Sequence, residues 1–201
     1  YTLFSAPQLG VNLINMNGKI VRHWKDMYGF PPKFLPGGHM IASRATRPAA
    51  NGYQDQEDLT MVDMDGKVEW SFDHNQLIND PDGERWMARQ HHDFQVTGNP
   101  VGYYVPGMEP DPNFDKMLLL THNDVHKPKI SPQLLLDDRL IEIDRDGNIT
   151  WEWSVVDHFN QFGFSEEQKS AMFRNPNTQN AGPEGQGDIF HCNCASYLGP
   201  N

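Results

Sequence analysis

Apolar and polar residues alternate in three stretches of the chain, and a turn signal interrupts each stretch at a corresponding place. The first is Val11-Asn12-Leu13-Ile14-Asn15-Met16-Asn17-Gly18-Lys19-Ile20-Val21-Arg22-His23-Trp24. The second runs from Asp58 to Trp70, and the third from Arg139 to Trp153. A period of two marks a half-buried strand. Asn-Gly or Asp-Gly between two such runs marks a hairpin, because both residues tolerate positive φ. Each stretch is therefore predicted to be two antiparallel strands joined at Asn17-Gly18, Asp65-Gly66 or Asp146-Gly147, with Trp on the second strand. Asp63-Met64-Asp65-Gly66 and Asp144-Arg145-Asp146-Gly147 begin like calcium loops, but the remaining EF-hand ligands are missing. Turn chemistry accounts for them better.

The three glycines are spaced 48 and 81 residues apart. A hairpin recurring every 40–50 residues is the signature of a β-propeller blade, and the longer interval fits one blade with insertions. Two further strands precede the second hairpin, Lys33 to Pro36 and His39 to Ser43, with Pro36-Gly37-Gly38 as their turn. His91 to Val96 and Met117 to Asn123 precede the third. Thr97 to Lys116 and Asp124 to Asp138 read as loops, and Asn75 to Gln90 as an insertion between blades. Ser165 to Phe173 reads as a short helix capped by Ser165. Asp188 to Tyr197 reads as the first strand of another blade.

The predicted fold is thus all-β: about two and a half four-stranded antiparallel blades of a larger propeller, with one short helix. Its parts are the end of a blade (11–24), a blade (32–72), a blade with loop insertions (91–154), an insertion with the helix (155–187) and the start of the next blade (188–201). Because two and a half blades leave open edges, residues 1–201 are expected to form one incomplete propeller domain, with its remainder beyond Asn201 and an N-terminal part left open; a stand-alone sandwich of about nine strands is the competing fold. Trp24, Trp70 and either Trp151 or Trp153 are expected between neighbouring blades.

Charge narrows the partners. Sixteen Lys and Arg against 27 Asp and Glu leave a net charge of -11, which argues against nucleic acid or an anionic membrane surface. No apolar run approaches the ~18 residues of a membrane span. The chain opens at Tyr1 with no charged-then-apolar leader, and so reads as a processed chain or as part of a longer one. Cys192 and Cys194 are too far apart in a strand to bridge easily and read as small buried residues.

In a propeller the first strand of each blade lines the central channel. Two first strands carry histidine near their start: Gln90-His91-His92-Asp93-Phe94 and Asp188-Ile189-Phe190-His191-Cys192-Asn193-Cys194. Alternation puts His191 and Asn193 on one face, and His91 and His92 on opposite faces. One imidazole from each blade can then meet at the axis, where Asp93 is placed to orient a neighbouring ring.

These motifs carry a family resemblance. Arg89-Gln90-His91-His92-Asp93-Phe94, the stretch Gly98 to Gly107, Trp151-Glu152-Trp153, Phe173 to Asn177 and Gly187 to Asn193 together resemble the arylsulfate sulfotransferase family over nearly the whole chain. The resemblance implies a six-bladed propeller, exported to the periplasm or secreted, that moves a sulfuryl group from a phenolic sulfate ester to a phenol through a sulfohistidine. It implies that His191 and Asn193 match the family's His-x-Asn pair and that His91 or His92 is the earlier channel histidine, with His92 assigned the role because it adjoins Asp93. His92, His191 and Asn193 are thus the expected catalytic groups, with His91 and Asp93 as substrate-binding groups. The histidine that becomes sulfated and an arginine are expected in later blades. The expected partners are an aryl sulfate and a phenol, with homodimerisation left open and no cofactor.

Two other classes compete. His91, His92, Asp93, His122 and His191 are types that bind zinc or copper, but first-strand spacing gives one ligand per blade, and no metal is assigned. A non-catalytic propeller presenting the loops Asn75 to Gln90 and Gly107 to Lys116 to a partner protein is the other.

Overall fold

The computed structural model describes residues 1–6, 9–29, 31–48, 55–97, 114–177 and 187–197. Residues 98–113, with the Gly98-to-Gly107 motif, lie outside the described residues, as do 178–186 of the predicted insertion. Thirteen strands are described, all paired antiparallel. Strands β1 (Thr2–Ala6), β2 (Gly10–Ile14) and β3 (Ile20–Trp24) form one sheet in that order. A second sheet runs β4 (Lys33–Leu35), β5 (His39–Ala42), β6 (Leu59–Val62) and β7 (Val68–Phe72). The insertion before Gln90 folds into a separate hairpin, β8 (Gln76–Asp80) and β9 (Gly83–Met87). The third sheet is β10 (Gln90–Val96), β11 (Lys116–Val125), β12 (Leu135–Asp144) and β13 (Ile149–Ser154).

The three predicted hairpins are present, and they share one chemistry. In each, the residue three before the glycine accepts backbone hydrogen bonds through its side chain: Asn15 from Lys19 N, Asp63 from Lys67 N, Asp144 from Asn148 N. Gly18, Gly66 and Gly147 sit at φ 74, 82 and 83°. Asn17, Asp65 and Asp146 do not share that conformation, and each hairpin shifts register beside the turn. These are therefore longer connections ending in a glycine bulge rather than two-residue turns. Asp63 and Asp144, two of the side chains that suggested calcium loops, are committed to holding these turns.

Alternation sorts the strands of the second sheet between two cores. Met40, Ala42 and Val62 of the second sheet pack with Val11, Leu13 and Trp24 of the first. Ile41, Leu59, Met61 and Phe72 face the other way, against Phe94, Met117, Leu119, Ile141 and Ile143 of the third sheet. Consecutive sheets thus pack face to face. Trp24 donates from its indole to Asp63 O at 3.2 Å, and Trp70 to Arg145 O at 2.8 Å, so each reaches the turn region of the next sheet. Trp153 instead stacks on His158, and Trp151 is exposed.

Four boundaries differ from expectation. An additional strand, β1, pairs with β2. β11 and β12 are longer than predicted, and β12 begins at Leu135 rather than Arg139, which brings Asp137 and Asp138 into the sheet. Val155–Phe162 forms a 3-10 helix ending at Gly163, ahead of α1 (Glu166–Arg174). Ser165 caps α1 as predicted, in a reciprocal capping box with Gln168. Finally, Asp188 to Tyr197 is not a strand; its one ladder contact is the parallel bridge between Leu136 and Asp188. Side chains take its amides instead: Cys192 N donates to Asp138, Ala195 N to Asp93 and Tyr197 N to Gln95. Among the described residues, no helix is long and apolar enough to cross a membrane.

Candidate functional site

The candidate site starts with an irregularity in β10. Gln90 pairs with Thr121 and Phe94 with Leu119, so β10 spends four residues where β11 spends two. The surplus holds both neighbouring histidines, and His92 has φ 54°. Arg89 and His191, at φ 51 and 55°, are the only other non-glycine residues with positive φ among those described. Such a conformation costs about 1–3 kcal/mol per residue and persists where surrounding contacts impose it. Here it cancels the alternation that put His91 and His92 on opposite faces. All three strained residues lie in one neighbourhood.

Four imidazoles stand there in successive contact. His91 stacks on His122, with ring centroids 3.7 Å apart and planes 16° apart. His91 Nδ1 lies 3.0 Å from His92 Nδ1. His92 meets the edge of His191 with centroids 4.9 Å apart. Aspartates hold the two ends: His122 Nδ1 to Asp55 at 2.5 Å and His191 Nδ1 to Asp188 at 2.7 Å. A third, Asp138, is the register partner of His122 across β11 and β12 and lies 3.2 Å from His91 Nε2. His91, His122, Asp55 and Asp138 are buried, whereas His92 and His191 are partly open.

Behind His122 the charge is anchored by arginines. Asp55 pairs with Arg89 at 2.9 Å and with Arg47 at 3.0 Å, and both arginines are buried. Burial pushes the Asp55 carboxyl up. The hydrogen bond from His122 and the charges of Arg89, His122 and Arg47 outweigh that and hold it below the usual carboxylate range. Arg47 also grips Asp80, and Arg89 reaches Asp124 and Gln76.

Burial also sets the charge of the site. It pulls His91 down to about 4, helped by the charge of His122 and opposed by Asp138 and Asp55. His92 is pulled down to about 4 by burial and then by His91 and His191. Both rings are therefore neutral near pH 7. Burial raises Asp188 against its bond to His191. It pushes the Cys192 thiol up to about 12, with the Asp138 charge and hydrogen bond adding to it, so that side chain is a poor nucleophile.

His92 and His191 are thus brought together, and His91 joins them from the position predicted to face away. Asp93 does not orient an imidazole. It pairs with Lys33 at 2.6 Å and accepts from Phe94 N and Ala195 N, so a cation and two amides take its oxygens. Asn193 is exposed, and its amide donates to His191 O at 2.9 Å. Cys192 and Cys194 are both free, with Cys194 exposed rather than buried. The residues that sequence reasoning left out of the site are Asp55, Arg89, Asp138 and Asp188, and it treated His122 only as a metal-binding type. One signal was available: a histidine closing the apolar run Met117-Leu118-Leu119-Leu120-Thr121 is a buried polar group in need of a partner.

Compared with models of known families, with curated proteins and with solved structures, the chain matches none.

Proposed function

We propose that the face-to-face sheets are blades of a β-propeller and that the histidine cluster binds the sulfuryl group of an aryl sulfate during its transfer to a phenol. One observation carries this reading: His92 and His191, 99 residues apart, meet with ring centroids 4.9 Å apart on the partly open side of the cluster. The resemblance to arylsulfate sulfotransferases supplies the substrate class, and the geometry supplies a chemistry that suits it.

In sulfuryl transfer the bond from sulfur to the phenolic oxygen breaks as a bond from sulfur to an imidazole nitrogen forms. The electron pair leaves on the phenolate, which takes a proton from a second imidazole. The acceptor phenol then attacks sulfur, the nitrogen–sulfur bond breaks, and the phenol's proton returns to an imidazole. N–H donors aimed at the sulfuryl and phenolic oxygens stabilise the charge that develops there. His92, a neutral ring, fills a hydrogen-bond donor role, and His191 fills the proton-transfer role. Asp188 holds the His191 ring, and His91 holds the His92 ring. The histidine that takes the sulfuryl group covalently is expected in another blade, as the family resemblance implies.

In the full-length protein, His92→Ala and His191→Ala should each lower turnover of a chromogenic aryl sulfate with a phenol acceptor by roughly 100-fold, with unchanged melting temperature. Unchanged turnover in both variants would refute the reading, most clearly if melting temperature fell, since the histidines would then be structural.

A further inference from the structure

Three polar atoms in the buried half of the cluster have no hydrogen-bond partner. They are His91 Nε2, His122 Nε2 and Asp138 Oδ1. All three lie within 4.8 Å of one another, in residues that are at most 1% exposed. Buried polar atoms left without partners require an explanation, and a bound ion supplies one for these three. His91 Nε2 is 3.2 Å from Asp138 Oδ1, close enough for charge attraction but outside hydrogen-bond geometry. His122 Nε2 is 4.0 Å from the same oxygen.

The surrounding bonds set which atoms are available. Asp55 receives the Nδ1 proton of His122, so the Nε2 of that ring presents a lone pair. Carboxylate behind imidazole is the arrangement that orients and strengthens a histidine ligand. Asp138 uses its other oxygen, Oδ2, to accept from Cys192 N, which leaves Oδ1 directed at the two imidazoles.

We propose that His91, His122 and Asp138 bind a divalent first-row transition ion of the zinc type. Two imidazole nitrogens and one carboxylate oxygen are a borderline donor set, suited to zinc, cobalt or copper rather than to calcium or magnesium. Donors about 2.0 Å from a tetrahedral ion are about 3.3 Å apart, so His91 Nε2 and Asp138 Oδ1 at 3.2 Å already have that separation and His122 Nε2, 4.0 Å from the same oxygen, must close in. The near-parallel rings also require one of them to turn, because parallel imidazoles cannot aim both lone pairs at one point. His122 is tied to Asp55, so His91 is the ring that turns. Three protein ligands leave a position open toward the rest of the cluster, as in catalytic zinc sites. The ligand set is not the one that first-strand positions suggested: His122 comes from the second strand of its sheet and Asp138 from the third.

The test uses the whole protein stripped with chelator and titrated with zinc alone, without any sulfate ester, so its outcome is independent of the sulfuryl reading. About one ion per chain is expected. Asp55→Asn should weaken binding about 10- to 100-fold while far-UV circular dichroism stays unchanged. His91→Gln combined with His122→Gln should abolish it. Copper(II) loaded into the unmutated protein should show hyperfine coupling to two imidazole nitrogens, a measurement that does not depend on any variant folding. No stoichiometric zinc binding, a copper spectrum with fewer than two nitrogens, or a folded double variant that binds like the parent would each overturn the proposal.

Discussion

Replacing Asp55 by alanine tests whether one carboxylate organises the buried half of the site. It faces three cationic or hydrogen-bonding side chains, Arg89 at 2.9 Å, Arg47 at 3.0 Å and His122 at 2.5 Å, and is itself fully buried. Removing one partner of a buried ion pair costs about 3–5 kcal/mol, because the remaining charge is left without compensation. Arg47 keeps Asp80, and Arg89 keeps Asp124, so the lower end of that range applies. At an m-value of about 2 kcal/mol/M, a loss of about 3 kcal/mol moves the urea midpoint down by about 1.5 M. Equilibrium unfolding followed by tryptophan fluorescence measures it, with an unchanged m-value showing that the native state is otherwise intact. Arg89→Met alone and combined with Asp55→Ala completes the cycle. The double variant should be more stable than the sum of the single effects predicts, by about 1–3 kcal/mol, since removing both charges leaves neither stranded. A midpoint shift under about 0.3 M, or strict additivity, would show that the arginines find solvent or other partners and that Asp55 organises nothing.

Asp58 should make stability depend on pH in one direction. Burial raises its carboxyl, but hydrogen bonds from Thr60, Arg44 and Ser43 outweigh that and lower it. Its stabilisation is therefore complete above the unfolded value of about 4 and is lost as pH falls through the lower folded value. The gap in unfolding free energy between the parent and Asp58→Asn should be widest at neutral pH and close below about pH 4; a gap as wide at pH 3 would refute it. Cys194 should be alkylated by iodoacetamide at pH 8 and Cys192 should not, because burial and the neighbouring Asp138 keep the Cys192 thiol protonated. Peptide mass spectrometry reads the difference, and preferential labelling of Cys192 would contradict it.

Local chemistry was legible from the sequence by itself. The Asn-Gly and Asp-Gly turns, the alternation that sends Ile41 one way and Met40 the other, and the Ser165 cap each depend on residues within a few positions of one another. Their spacing along the chain also carried the order of the sheets. The meeting of His92 with His191 was anticipated from repeated strand positions, although its basis differs: His191 sits on an irregular run held by Asp138, Asp93 and Gln95 rather than on a ladder. What only the tertiary structure decided is which polar residues surround those rings. A surplus of residues in β10, together with positive φ at His92, reverses the face rule that a regular strand obeys. Asp55 reaches His122 across 67 positions, and Asp138 meets His122 because β12 starts earlier than its turn signals indicate. Proximity of that kind follows from the packing of whole sheets, where a shift of one residue in register moves every side chain to the opposite face.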